Sequence, residues 1–280
     1  PPYFGLRDYG HDGQIGLEET PELYVAKLVD VFREVRRLLR DDGVLWLNLG
    51  DSYAGSGKGW GGGSISEARN QCEIIGNDRG AFVPAGMKPK DLMGIPWMVA
   101  FALRADGWYL RSDIIWHKPN PMPESVTDRP TKAHEYIFLL SKSSKYFYDY
   151  MAISEPIKTA SGGVFNRQSK HSAVGNQSQG ANYRVSGDEN RNRRSVWTVT
   201  TKPYSGAHFA TFPPDLIEPC ILAGSAIGDT VLDPFNGSGT TGAVALKHGR
   251  NYIGCELNPE YITLAHSRIS ESQPMLAGIL

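Results

Sequence analysis

Val231-Leu-Asp-Pro-Phe-Asn-Gly-Ser-Gly-Thr-Thr-Gly242 lies between a short apolar run, Thr230 to Asp233, and a helix-forming segment, Gly239 to His248. Glycines between a strand and a helix let the backbone approach a ligand, and the helix start offers free N–H groups. Tyr252-Ile-Gly-Cys-Glu256 follows and reads as a strand ending in a carboxylate, about the right distance on to take both ribose hydroxyls of a nucleoside. A phosphate-binding P-loop needs a Lys after its last Gly, and none is present. Gly237-x-Gly239-x-x-Gly242 literally fits the dinucleotide pattern, but that pattern alone is weak, and too little chain follows Gly242 for a two-half dinucleotide domain. A purely structural turn is the bland alternative.

Working outward, the same stretch resembles motif I of the DNA amino-methyltransferases, and Glu256 in Gly-Cys-Glu-Leu-Asn-Pro-Glu-Tyr resembles their acidic motif II. His208-Phe-Ala-Thr-Phe-Pro-Pro214 and the helix after it resemble motif X, which closes over the methionine part of the cofactor. The resemblance implies S-adenosylmethionine as methyl donor and no metal. It places Asp233, Pro234, Phe235, Gly237, Ser238, Gly239, Thr240, Thr241, Glu256, Asn258 and His208 around that donor, with a surface or packed histidine as the equal alternative for His208.

Pro1-Pro2-Tyr3 resembles the end of the family's motif IV, and Phe4-Gly-Leu-Arg-Asp-Tyr-Gly10 resembles one subgroup of it. Alone, Pro-Pro-Tyr would equally suit a linker or a polyproline ligand. Beside motif I it implies a catalytic role for Pro1, Pro2 and Tyr3. The amino nitrogen of cytosine or adenine is a poor nucleophile, because its lone pair is delocalised into the ring. Acceptors aimed at its N–H groups localise that pair. The Pro1 carbonyl would supply one acceptor and the preceding residue another, while Tyr3 would stack on the extruded base. Extrusion costs a few kcal/mol. Methyl transfer is then a direct displacement in which proximity carries much of the catalysis.

Ile114-Ile-Trp-His-Lys-Pro-Asn-Pro and His134-Glu-Tyr-Ile-Phe-Leu-Leu resemble motif VIII and its neighbouring strand. Trp116, Lys118 and Asn120 are candidates for the base pocket, with strand core and solvated strand end as the equal alternative, and Asp51 is a weaker candidate. C5-cytosine chemistry would need a nucleophilic Cys, usually after Pro. Pro219-Cys220 occurs, but beside the wrong motif, and reads as packing.

The order IV, VIII, basic insert, X, I, II is the permuted β-class arrangement. It implies a Rossmann-like α/β domain with a mostly parallel sheet and an antiparallel strand. Residues 1–157 form the catalytic half, 158–197 a putative target-recognition insert, and 198–280 the donor-binding half. Periodicity agrees, with helices over 20–40, 91–105, 214–224, 239–248 and 258–269. Strands are expected at 44–49, 108–116, 134–140, 230–233 and 252–256, the second and third pairing antiparallel. The Gly-rich stretch 53–88 reads as a long, DNA-facing loop.

Between 158 and 195, Lys158, Arg167, Lys170, Arg184, Arg191, Arg193 and Arg194 face only Asp188 and Glu189. These side chains, with Lys118, are the candidates for DNA contact, and Asn and Gln could read base edges. A solvated loop is the alternative. The net charge is −1, so a nucleic-acid surface must come from such local clustering. Three scattered cysteines without CxxC spacing point away from disulfides and zinc. No apolar run suits a bilayer, so a bacterial or phage cytoplasm is expected. The chain opens on Pro1 rather than Met, as an internal fragment would. Double-stranded DNA and a cognate restriction endonuclease are the expected partners. Cytosine N4 is the first choice of target and adenine N6 the second, because sequences of the Pro-Pro-Tyr-x-Gly-Leu-Arg-Asp-Tyr-Gly type most resemble enzymes with Ser before the pair. A nicotinamide oxidoreductase or a non-catalytic DNA-binding fragment are the rivals of another class.

Overall fold

The computed structural model describes residues 1–6, 8, 10–55, 83–156, 190–201 and 212–272. The first helix, α1 (Pro21–Leu38), starts where the sequence offers a cap. The Thr20 hydroxyl accepts from the Leu23 N–H at 3.3 Å, and Pro21 occupies the first turn. Tyr24, Val25, Leu28, Phe32 and Val35 recur at helical spacing and form its buried stripe.

The strands β1 (Val44–Leu49), β2 (Tyr109–His117), β3 (His134–Ser141) and β6 (Val196–Thr198) make one sheet in the order β1-β3-β2-β6. β3 runs antiparallel to both neighbours, and β6 pairs parallel with β2, so three strands share a direction and β3 opposes them. Strand side chains alternate in facing. Phe138 and Leu140 of β3 therefore join the core beneath α1 and α2 (Ile95–Ala105), whereas Ile137 and Leu139 point to the opposite face. There they meet Trp116, Trp197 and, from α3 (Pro214–Gly224), Leu216 and Cys220. The sheet is thus covered on both faces.

Beyond α3 come β7 (Thr230–Asp233), α4 (Thr240–Lys247), β8 (Asn251–Gly254) and α5 (Pro259–Ser272). β7 and β8 pair in parallel, and Ile221, Val244 and Ala245 bury the joint. A two-residue ribbon of β4 (Glu155–Pro156) and β5 (Asn190–Arg191) flanks residues 157–189.

Three expectations shift. α2 starts at Ile95 rather than 91, because Lys90 and Gly94 both have positive φ and Pro96 suits a first turn. β8 ends at Gly254, which leaves Glu256 in the loop after it. Val196-Trp197-Thr198, for which the sequence predicts no strand, joins the main sheet with Trp197 buried beside Trp116. Most of the 53–88 loop lies outside the described residues.

Asp51, a weak pocket candidate, instead holds the start of α2. Its carboxylate accepts from the Ser52, Gly94 and Ile95 N–H groups at 2.9–3.2 Å. Burial lifts its pKa, against the opposing pull of Lys132 and these amides. Asp51→Ala is expected to destabilise the fold by about 1–2 kcal/mol, the usual loss of a good cap. Urea unfolding monitored by circular dichroism would show this as a lower midpoint.

Candidate active site

The segment after β7 is shaped by its own side chains. One Asp233 oxygen accepts from the Phe235 N–H at 2.9 Å, and the other accepts from the Thr241 hydroxyl at 2.5 Å. The backbone interlocks with the end of β8: Cys255 N–H donates to the Asp233 carbonyl and Asn236 N–H to the Cys255 carbonyl, both at 2.9 Å. This lock carries Glu256 to the loop. Its carboxylate accepts from Gly237 N–H at 2.7 Å and Asn258 N–H at 2.9 Å.

Two glycines in this turn do different jobs. Gly239 has φ +74° with Ala265 of α5 pressed against it, whereas Gly237 has φ +50° and open space on its side-chain face.

The expected donor-binding residues divide accordingly. Ser238 and Thr240 are buried and turned toward α5, where the Arg268 guanidinium donates to their hydroxyls at 2.9 and 2.6 Å. Asp233 and Thr241 bond to each other, and Asn258 accepts from Glu260 N–H at 2.8 Å at the start of α5. Phe235 packs edge-on against Phe32 of α1 at 6.2 Å. Pro234 lies in the same turn. Gly237 keeps open space on its side-chain face, with the half-buried Glu256 carboxylate bound to its N–H. His208 lies outside the described residues. Arg268 was not singled out from the sequence, because a lone Arg on a terminal helix carries no local signal.

The chain terminus meets this loop through α1. Tyr24 packs its ring on Phe4 at 5.5 Å and donates its hydroxyl to the Pro2 carbonyl at 2.7 Å. Phe32, two turns further along α1, packs on Phe235. The Pro2 carbonyl and Phe235 are thus both held by α1, and Phe4 and Phe235 border the same hydrophobic cluster.

The Tyr3 ring lies against Gly50 so closely that a Cβ there would sit 2.6 Å from the ring. Its hydroxyl donates to Glu135 at 2.7 Å and approaches Asn48 at 3.3 Å. Burial and the neighbouring Glu135 push the Tyr3 hydroxyl pKa well above its ordinary value, so it stays protonated. The other Glu135 oxygen pairs with Lys118, whose ammonium also stands 4.2 Å from the Trp116 ring centroid.

Lys118 is thus turned into the site. Trp116 is core, its indole N–H donating to the Val199 carbonyl at 2.8 Å, and Asn120 clamps both backbone groups of Thr201. Arg191 and Arg194 pair with Glu155 at 2.9 and 2.6 Å, and Arg193 lies over the Trp197 ring at 4.8 Å. Arg167, Lys170 and Arg184 lie outside the described residues.

Cys220 is buried in α3, its thiol pKa pushed upward by burial, and its sulfur lies 3.8 Å from the Leu216 carbonyl. A buried neutral thiol is no nucleophile. Cys220→Ala is expected to leave the methylation rate unchanged while lowering the unfolding midpoint slightly; loss of turnover at intact stability would contradict the packing role. Among the described residues, no group of three or more His, Cys, Asp or Glu side chains could hold a metal, and no helix is long and apolar enough to cross a membrane.

A family model of N6/N4 methyltransferases, described as DNA methylase, matches residues 1–267. This chain belongs to that DNA methylase family. It is 52% identical to the type II methyltransferase M.XycI of Xanthomonas campestris pv. cyanopsidis, over 96% of this chain and 79% of that protein. It is 49% identical to M.SmaI of Serratia marcescens, over 96% and 82%. Among solved structures, it resembles the PvuII DNA methyltransferase (cytosine-N4-specific) with a TM-score of 0.62 and 18% identity, over 96% of this chain and 76% of that one. It also resembles a putative DNA modification methylase from Thermus thermophilus, solved in complex with S-adenosyl-L-methionine. That match has a TM-score of 0.58 and 23% identity, over 99% and 85%. The protein is thus a type II DNA methyltransferase of the N4/N6 family, with the Rossmann-like architecture that its sequence implied.

Proposed function

We propose that this methyltransferase transfers the methyl group of S-adenosylmethionine to the exocyclic N4 of cytosine in double-stranded DNA. The observation that carries the reading is that α1 holds the Pro2 carbonyl through Tyr24 and Phe235 through Phe32, so that Phe4 and the segment after β7 share one hydrophobic cluster. The residues present fit the donor. Gly237 has only the Phe235 carbonyl oxygen within 4.0 Å of where a Cβ would stand, so a ligand can lie against its backbone. Glu256 has two oxygens and about four lone-pair sites, of which two accept backbone N–H groups. The remaining two can accept a ribose diol.

When bound, S-adenosylmethionine supplies an electrophilic methyl group on a sulfonium. The chain's own residues then do three things. Glu256 fixes the ribose. Tyr3, held upright by its hydroxyl, offers a face to the extruded base. The Pro1 carbonyl accepts from the base amino group and so localises its lone pair. No covalent intermediate is needed, in keeping with the burial of Cys220.

Cytosine N4 is favoured over adenine N6 by the Pro-Pro-Tyr-Phe-Gly-Leu-Arg-Asp-Tyr-Gly opening and by the N4-specific name of a structural neighbour. Arg191 and Arg194 are suited to phosphate contact. An exposed ion pair such as Arg194–Glu155 contributes only about 0–1 kcal/mol, so a DNA phosphate can displace it. Residues 158–197 would then act as the target-recognition region in a bacterial or phage cytoplasm, guarding DNA against a cognate endonuclease.

Tritiated S-adenosylmethionine with unmethylated genomic DNA, followed by nucleoside mass spectrometry, tests this. N4-methylcytosine is the expected product. N6-methyladenine would move the assignment to the other base, and a label-free DNA product would sink the activity.

A further inference from the structure

We infer that Glu135 is a positioning residue that sets the plane of Tyr3 for the target base; this rests on the proposed placement of Tyr3 beside that base. The backbone of residues 2 and 3 is fixed from below. Tyr24 holds the Pro2 carbonyl, and Gly16 lies so close to the Tyr3 carbonyl that a Cβ there would stand 2.9 Å from its oxygen. One ring edge rests on Gly50. The ring can still rock about these supports unless its far end is also held.

Glu135 and Asn48 hold that end. Glu135 Oε2 accepts from the Tyr3 hydroxyl at 2.7 Å and from Asn48 Nδ2 at 3.3 Å, and Oε1 carries the ion pair with Lys118. Asn48 is itself tied to the Tyr136 carbonyl at 3.0 Å. The carboxylate is therefore not a loose surface group. Glu135 is the second residue of β3, opposite Trp116 of β2, and the adjacent Tyr136 is opposite Leu49 of β1. Three strand ends thus converge on one phenol. Only 14% of the Glu135 side chain and 19% of the Lys118 side chain are exposed, so the pair is poorly screened and its geometry is stiff.

Two consequences follow. Phe would stack as well as Tyr but would lack the tether, so the hydroxyl serves orientation rather than proton transfer. Lys118 balances the carboxylate instead of seeking a DNA phosphate. A platform fixed before the base arrives spares the reaction the ordering of that ring, and this gain appears in kcat.

The test is a set of variants of the intact protein, read by kcat and KM for S-adenosylmethionine on unmethylated genomic DNA, with the thermal midpoint as a stability control. Losing a hydrogen bond to a charged group amounts to about a 10- to 100-fold fall in kcat. Glu135→Ala is expected to show that fall with KM for the donor unchanged. Glu135→Gln, which can keep one acceptor for the hydroxyl but turns its amide NH2 toward Lys118, is expected to recover part of it. In a Tyr3→Phe background, where the tether is already gone, either change should add little.

Losses that multiply with Tyr3→Phe, a Gln variant no better than Ala, or a donor KM that rises in step would each overturn the role of Glu135. Should Glu135→Ala fail to fold, the Glu135→Gln and Tyr3→Phe cycle decides by the same non-additivity. A wild-type protein without methyl transfer would instead overturn the reading of the site, and this inference with it.

Discussion

Glu256→Ala is expected to weaken S-adenosylmethionine binding by about 100-fold or more, the largest single effect on the donor site. Two losses combine. In the proposed site the ribose diol would lose two charge-assisted acceptors, each contributing about 1.5–3 kcal/mol, and about 1.4 kcal/mol is tenfold in affinity. The Gly237 and Asn258 N–H groups also lose their acceptor, so the turn that presents the open face of Gly237 is freed. Glu256→Gln should lie between, since its amide can accept from one of these groups but turns a donor toward the other. Isothermal titration calorimetry measures the effect directly, and circular dichroism separates it from unfolding. DNA affinity should be little changed, because the basic candidates sit on other elements. An unchanged dissociation constant would remove Glu256 from the donor site and with it the ribose assignment.

How much of this site was legible in the sequence depends on whether a residue acts through its neighbours in the chain. The strand–glycine turn–helix at 230–248 was legible because its signal is local: an apolar run, glycines, then helix formers. The helices and the β2–β3 pair were legible through periodicity. β6 was not, because three residues beside a polar, basic stretch carry too little pattern, and only pairing with β2 makes Val196-Trp197-Thr198 a strand.

The site residues follow the same rule. Pro1, Pro2, Tyr3 and Glu256 are legible as motif residues, and the structure ties both the Pro2 carbonyl and Phe235 to α1. Ser238 and Thr240 were recognised as motif residues too, yet their hydroxyls serve Arg268, thirty and twenty-eight positions away. Asp51 was read toward the base pocket, and it caps a helix forty-four residues downstream. Glu135 lay inside a quoted stretch without a role, since its partner Tyr3 is 132 residues distant. Side-chain partnerships at such separations are fixed by sheet register, which periodicity within one segment does not reveal.

The glycine turn offers a second large expected effect, and it separates folding from ligand binding within two residues. Gly239→Ala is expected to destabilise the protein by about 2–4 kcal/mol. Part is strain, since a φ of +74° is left-handed and disfavours any Cβ. Part is overpacking, typically about 1–3 kcal/mol. The new Cβ would lie 2.9 Å from Ala265 Cβ and 3.0 Å from Ala265 Cα, and that backbone belongs to α5 and cannot yield cheaply. The α4–α5 contact would open, and Arg268 would lose its grip on Ser238 and Thr240. Gly237→Ala shares the left-handed strain, but its Cβ would meet nothing nearer than the Phe235 carbonyl oxygen at 4.0 Å. It should therefore cost about 1 kcal/mol of stability and yet weaken S-adenosylmethionine binding more than Gly239→Ala does, because its methyl group enters the space beside Glu256. Chemical unfolding and donor titration on both variants give four numbers, and the expected pattern is crossed. Equal destabilisation with equal affinity loss would mean that the turn responds as one unit and that the open face of Gly237 is not where the donor lies.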